Sequence, residues 1–375
     1  MDAPTCCAQA PRPGARRRPR LSLLTVLAAL AGCAVLAGCS GDGRTPLLIY
    51  SPHGRDLLAL FEQTFEAAHP EVDVRWLDMG SQEVFDRVRS EAANPQADVW
   101  FGGPAAIFAR AAKAGLLEPY RPPWADAVPA ASRDAQDRFF GVYRTPPVIV
   151  FNRDAVPAEQ APADWDDLLA ARWRNLVLVR DPLASGTMRT IFGFVLARSV
   201  VETGNEERGF DWLRRLDAQT KEYVHSPALL HQKIIRREGL VTLWELTDIL
   251  LQQSRGNPLG YRFPASGTPV IDDAAALVRG ARHGEPARRF LDWIGSREAQ
   301  ALAAEKAFRL PARTDMPEES LPAWARDALA EMVPANVDWR LIEREGARWM
   351  STWDRTVRGR GEAGPEARDT AGDDG

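Results

Sequence analysis

The clearest chemistry in the chain lies at Ser185, Gly186 and Thr187, which follow Asp181-Pro182-Leu183-Ala184 and open a helix. A helix start leaves backbone N–H groups without intrahelical partners and concentrates the positive end of the helix dipole there. Glycine lets a ligand approach the backbone, and the two hydroxyls add donors. Such a segment is a seat for phosphate, phosphonate or carboxylate. Each hydrogen bond to a charged group contributes about 1.5–3 kcal/mol. The same three residues also make an ordinary helix cap. Gly102 and Gly103, at the end of Asp98-Val99-Trp100-Phe101, either expose N–H groups to a ligand or only turn the chain. Ser81 is a cap or a ligand donor.

Further candidates carry charge or ring faces. Ser51 and His53 lie in the turn Ser51-Pro52-His53-Gly54. Trp244 offers a ring face to a cation, and Glu245 and Asp248 offer counter-charge. Alternatively Trp244 is core and Glu245 caps a helix. The chain has no Gly-x-Ser-x-Gly elbow, no His-Glu-x-x-His and no CxxC pair, so no enzyme motif is present and no cofactor is expected.

These residues need elements to hold them. Leu47 to Tyr50 is a short apolar run of the buried-strand kind, and Val72, Val74 and Trp76 alternate as a second strand. A third strand covers Asp98 to Phe101. Helices follow each: one starting near Asp56 with Leu57, Phe61 and Phe65 on one face, one with Val84, Phe85 and Val88, and one from Ala105 to Ala114. Three strand–turn–helix units with short connections predict a parallel sheet with helices on its faces. Ligands collect at the carboxyl ends of such strands, here Ser51 to Gly54, Met79 to Gln82 and Phe101 to Pro104. A second α/β unit follows, with strands at Pro147–Phe151, Leu176–Val179 and Leu240–Leu243. A helix carries Trp165, Leu168 and Leu169. The chain returns to strand near Pro269–Ile271, and helices follow at Ala287–Ile294 and Glu298–Ala307.

The amino terminus resembles the leader and lipobox of a bacterial lipoprotein. Arg16, Arg17, Arg18 and Arg20 precede the apolar stretch Leu21–Leu36, and Leu36-Ala37-Gly38-Cys39 ends it. The stretch is shorter than the roughly 20 residues a membrane span needs. Cys39 is the expected lipid attachment point and Leu30-Ala31-Gly32-Cys33 a second copy of the motif. Cleavage before Cys39 leaves 337 residues with a single cysteine, so no disulfide framework or thiolate site is expected. The whole chain is −4; five arginines against one aspartate make residues 1–38 +4, and the remainder −8. That balance argues against a nucleic-acid partner. Residues 358–375 read as a disordered tail.

Beyond the leader, the chain resembles periplasmic solute-binding proteins of bacterial importers, most of all the branch containing ferric-ion-binding proteins. Four ordered stretches carry the resemblance: Ile49-Tyr50-Ser51-Pro52-His53; Ala97 to Gly103 with Ala114-Gly115-Leu116-Leu117-Glu118-Pro119-Tyr120; Asp181 to Thr187; and Ser266 to Asp273, continuing to Gly295-Ser296-Arg297-Glu298-Ala299-Gln300. The resemblance implies an α/β two-lobe periplasmic-binding-protein fold of type II, with two crossover hinge strands near Tyr143–Val150 and Tyr261–Val270. It implies a first lobe of 47–148 and 263–312, a second lobe with packing helices of 149–262 and 313–357, a leader of 1–38 and a tether of 39–46. Tyr143 and Arg144 then stand where a hinge residue reaches the cleft. Family members hold an anion on the matching Ser-Gly segment. Ferric-binding relatives use adjacent tyrosines after the late buried strand and a carboxylate after the third; here Trp244-Glu245 and Gly102-Gly103 occupy those places. The expected function is delivery of a small anionic solute to a membrane permease of an ABC importer, at a lipid-anchored periplasmic or cell-surface site. A ferric site through His53, Glu245 and Asp248, and a lipid-anchored hydrolase, are the alternatives.

Overall fold

The computed structural model describes residues 43–360. The leader, Cys33, Cys39 and the tail beyond Arg360 lie outside them. The described residues form two sheets. Strands β1 (Thr45–Ser51), β2 (Val72–Asp78) and β3 (Val99–Pro104) run parallel. They are joined by helices α1 (Arg55–Ala68) and α2 (Ser81–Ser90), and α3 (Ala105–Lys113) follows. Strands β4 (Leu117–Glu118), β5 (Phe140–Thr145), β11 (Ile271–Val278) and β12 (Leu310–Pro311) complete this sheet in the order β12-β5-β11-β3-β1-β2, with β4 on β11. The second sheet has the order β10-β6-β9-β7-β8, with β6 Pro147–Asn152, β7 Val177–Arg180, β8 Thr220–Val224, β9 Val241–Glu245 and β10 Leu259–Arg262.

The apolar runs follow from burial on both faces. Leu47, Ile49, Val99 and Phe101 point to one side of the first sheet, against Phe61 and Phe65 of α1 and Phe290 and Ile294 of α8 (Gly284–Ile294). Tyr50 and Trp100 point to the other, against Val84 and Phe85 of α2 and Phe108 of α3. In the second sheet Val148, Val177 and Val241 share one core with α4 (Gly186–Thr203), which is apolar around most of its circumference and so buried. Helices α5 (Glu207–Gln219), α6 (Pro227–Ile235) and α7 (Leu246–Ser254) join it.

Helix α9 (Arg297–Ala307) leads into β12, and α10 (Ala323–Glu331) and α11 (Trp339–Thr356) follow. Helix α11 carries Trp349, Met350 and Trp353 into the second core. Trp353 is fully buried, edge-on to Phe192 at 5.4 Å and Tyr223 at 5.2 Å.

Two expectations shift. Trp165–Leu169 is a 3-10 turn capped by Asp164, because the chain is extended again at Ala170 and leaves too little length for an α ladder. The late strand runs from Ile271 to Val278 rather than near Pro269–Ile271. Its Asp-Asp-Ala-Ala-Ala stretch has weak strand propensity, and pairing with β3 and β5 on either side overrides it.

The sheets are joined where β5 passes into β6 through Pro146, and again by residues 263–270 between β10 and β11. These crossings are tied together: Thr268 Oγ1 donates to the carbonyl of Pro147 at 2.6 Å. No helix among the described residues is long and apolar enough to cross a membrane.

The packing of α11 gives the first test. Trp353→Ala should cost about 3–5 kcal/mol in urea denaturation. Trp339→Ala, on the same helix but 38% exposed, should cost under about 0.5 kcal/mol.

Candidate functional site

Three helix starts meet where the sheets face each other. Helix α2 begins at Ser81 and α3 at Ala105, both on the first sheet, and α4 begins at Gly186 on the second. A Cβ at Gly186 would stand 2.6 Å from Pro104 Cδ and 2.9 Å from Ser81 Oγ, and one at Gly80 would stand 2.6 Å from the carbonyl oxygen of Ala184. The lobes are therefore in contact at these helix ends, and the contact depends on glycine. Ser185 caps α4 by accepting the N–H of Met188 at 3.2 Å. Its hydroxyl is thus engaged, while the first-turn amides of α2 and α4 lack intrahelical partners, as at any helix start.

Gly102 and Gly103 adopt φ of 103° and 108°, a conformation that favours glycine. Gly102 lies against the His53 ring, where a Cβ would come within 2.5 Å of Nε2, and Gly103 lies against Ser81. Ser51, at the end of β1, accepts the His53 N–H at 3.2 Å. The His53 ring is edge-on to Phe101 at 4.6 Å and Tyr143 at 5.6 Å. Burial, and then the positive charge of Arg309, push the His53 pKa well below its ordinary value, so the ring is neutral at pH 7. Burial pushes the Tyr143 phenol strongly up. Both residues are buried, and His53 Nε2, Tyr143 Oη and Arg309 Nε have no hydrogen-bond partner. Buried polar atoms are normally paired, and here three in one neighbourhood are not.

Beside them is a carboxylate cluster. Glu245 ends β9 and precedes α7; Thr187 Oγ1 donates to its Oε2 at 3.2 Å. Burial, then repulsion from Asp248, raises the Glu245 pKa to about 8. Asp273 on β11 is raised to about 6 by burial, opposed by a hydrogen bond from Thr145 and by the Gly103 N–H. Asp78, at the end of β2, is also raised by burial. Arg309 faces this cluster, 4% exposed. Its Nη1 donates to Thr247 Oγ1 at 3.1 Å and its Nη2 to the carbonyl of His53 at 3.2 Å. Its guanidinium stands 3.8 Å from Glu245 and 3.8 Å from Asp248.

The structure thus draws Ser51, His53, Ser81, Gly102, Gly103, Tyr143, Gly186, Thr187, Glu245 and Asp248 into one neighbourhood. Two expected residues enter differently. Trp244 packs in the second core and contributes its indole N–H, which donates to Asp248 at 2.9 Å. That geometry orients the carboxylate and leaves the ring face to the core. Arg144 lies on the opposite face of β5 from Tyr143 by strand alternation. Its neighbour there is Asp272, which accepts a hydrogen bond from Ser132. Sequence reasoning missed Arg309, Asp273, Thr145, Thr247 and Asp78. The paired acids heading an alanine-rich strand were a usable signal for Asp273; Phe308-Arg309-Leu310 offered none. Among the described residues no set of three or more His, Cys, Asp and Glu side chains is placed to hold a metal ion.

Comparison with known proteins agrees with this architecture. A protein from Haemophilus influenzae of uncharacterised function is 30% identical over 80% of this chain and 87% of its own length. A probable ABC transporter periplasmic-binding protein of Sinorhizobium fredii is 28% identical, covering 83% of this chain and 86% of the relative. A putative 2-aminoethylphosphonate-binding periplasmic protein of Salmonella typhimurium is 27% identical over 65% of this chain and 71% of its own. Among solved structures, a periplasmic binding protein from Actinobacillus pleuropneumoniae with exogenous fructose-6-phosphate bound superimposes with TM-score 0.74 at 25% identity, covering 84% of this chain and 99% of that one. The ferric binding protein from Campylobacter jejuni has TM-score 0.69 at 18% identity, covering 82% and 98%. These likenesses establish the type II periplasmic-binding-protein fold. The family model for bacterial extracellular solute-binding proteins matches residues 94–333, and the chain belongs to that family, whose members bind solutes rather than transform them.

Proposed function

We propose that this protein is the solute receptor of an ABC importer and that its solute carries a phosphonate or phosphate group together with a cationic group. The observation that carries the reading is the meeting of helix starts from both lobes at Ser81 and Gly186, directly beside Glu245, Asp248 and Asp273. Helix-start amides of both lobes complement the anion. The acids complement a cation, and Thr187 touches both halves through its backbone position and its bond to Glu245. A purely anionic solute meets repulsion from the acids. A bare ferric ion needs several anionic oxygen ligands, and among the described residues no set of three or more His, Cys, Asp and Glu side chains is placed to hold a metal ion. The names of the Salmonella and Actinobacillus relatives, a phosphonate and a sugar phosphate, support the phosphorus half of the reading.

Hinge motion about Pro146 and the 263–270 crossing closes the lobes on the solute. We further propose that the lobes divide close to the expected 47–148 with 263–312 and 149–262 with 313–357, with β1 extending the first lobe to Thr45 and β6 taking Pro147 and Val148 into the second, and that lipid on Cys39 holds the receptor at a bacterial membrane through the tether before β1. Thr45 and Pro46 already pair with β2, so β1 takes up the last two residues of the expected tether.

Isothermal titration gives the central test. 2-Aminoethylphosphonate should bind at least about tenfold more tightly than methylphosphonate or ethylamine, each of which has only one of the charges. Tight binding of ferric citrate with none of the phosphonates would turn the assignment to iron. Gly186→Ala, at a position whose backbone accepts any residue, should weaken solute binding by about tenfold or more with little change in Tm, because its methyl group meets Pro104 on closure. Fractionation tests the anchor: Cys39→Ser should move the protein from membrane to soluble fraction, and Cys33→Ser should leave it on the membrane.

A further inference from the structure

We propose that Arg309 is a clasp between the lobes, which holds them closed and fixes how much positive charge a solute can bring to Glu245 and Asp248. The inference rests on the two-lobe closure described above. The backbone of Arg309 belongs to the first lobe. Its N–H donates to Ala303 O at the end of α9, and the next residue, Leu310, pairs with Arg144 of β5. Phe308, directly before it, adopts a left-handed φ of 54° that ends α9 and redirects the chain inward.

The guanidinium divides its contacts between the lobes. Nη2 bonds the carbonyl of His53 within its own lobe. Nη1 bonds Thr247, and both terminal nitrogens face acids, Glu245 and Asp248, in the other. Asp273 faces it from its own lobe. Parting the lobes breaks the second set and leaves the first, so the guanidinium stays aimed at its closed position.

Burial makes this pairing count. Arg309 is 4% exposed, and removing one partner of a buried charge cluster leaves the others uncompensated. The surface pair Arg255–Asp56, also between the lobes, has both side chains about half exposed and is screened by water. The clasp also accounts for selectivity. One guanidinium faces three acids, of which Glu245 keeps its proton at neutral pH; a solute ammonium group would balance the remaining negative charge and take the place of that proton.

Hydrogen–deuterium exchange on the full chain without solute tests the clasp independently of which solute binds, so failure of phosphonate binding leaves this result untouched. Arg309→Gln should speed exchange about tenfold or more in the cleft segments 81–85, 186–190 and 246–250, and leave the strands 47–51 and 177–180 unchanged. Arg309→Lys should fall between. Unchanged exchange in the cleft segments overturns the proposal. If Arg309→Gln accelerates exchange everywhere, Thr247→Val decides: acceleration confined to the cleft supports the clasp, and unchanged cleft exchange overturns it.

Discussion

One buried guanidinium, Arg309, stands among three carboxylates, two of them, Glu245 and Asp273, strongly desolvated and Asp248 at the edge, and the organisation of the cleft follows from that. An unpaired buried charge is costly, and groups in that position pair or shift their pKa. Here both happen. Glu245 is raised to about 8 and Asp273 to about 6, while Arg309 stands between the acids of the two lobes. The sign of the effect matters. A carboxyl group whose closed-state pKa lies above its ordinary value favours the closed form below about 4.5. That contribution is lost as pH rises toward 8, unless a cation replaces the proton. On the proposed reading, a positively charged group of the solute supplies that replacement at neutral pH.

The opposite preference is built a few ångströms away by backbone alone. Helices α2 and α4 bring their amino ends together from different lobes, with α3 beside them; Gly80 and Gly186 make that approach possible, and Gly102 and Gly103 leave room for His53 and Ser81 within the first lobe. Helix ends attract anions without any cationic side chain. The proposed site thus pairs a backbone seat for negative charge with a side-chain seat for positive charge. This chain shares a fold with ferric-binding proteins, but the cleft chemistry differs from that of a phenolate-rich metal site, since fold does not carry function.

Rigid surroundings keep both seats in register. Trp244 anchors Asp248 from the second core, Thr145 holds Asp273, and Ser51 fixes the turn that presents His53. The crossing segments are tied by Thr268 and Pro147, so hinge motion can part the lobes without loosening either half of the site.

The sequence by itself determined what is local. Short apolar runs bounded by turns gave the strands β1 to β3 and their helices, because burial on both faces demands continuous hydrophobicity. Ser185-Gly186-Thr187 and Gly102-Gly103 were legible because caps and positive-φ turns are written in a few adjacent residues. Only tertiary structure decided that Asp273 lies in the middle of a sheet, that Arg144 faces away, that Trp244 serves through its N–H, and that Arg309 reaches residues 62 and 256 positions away in the chain. Those outcomes depend on strand order, on the face set by register and on desolvation by distant segments. None of these is encoded in the neighbours of the residue concerned.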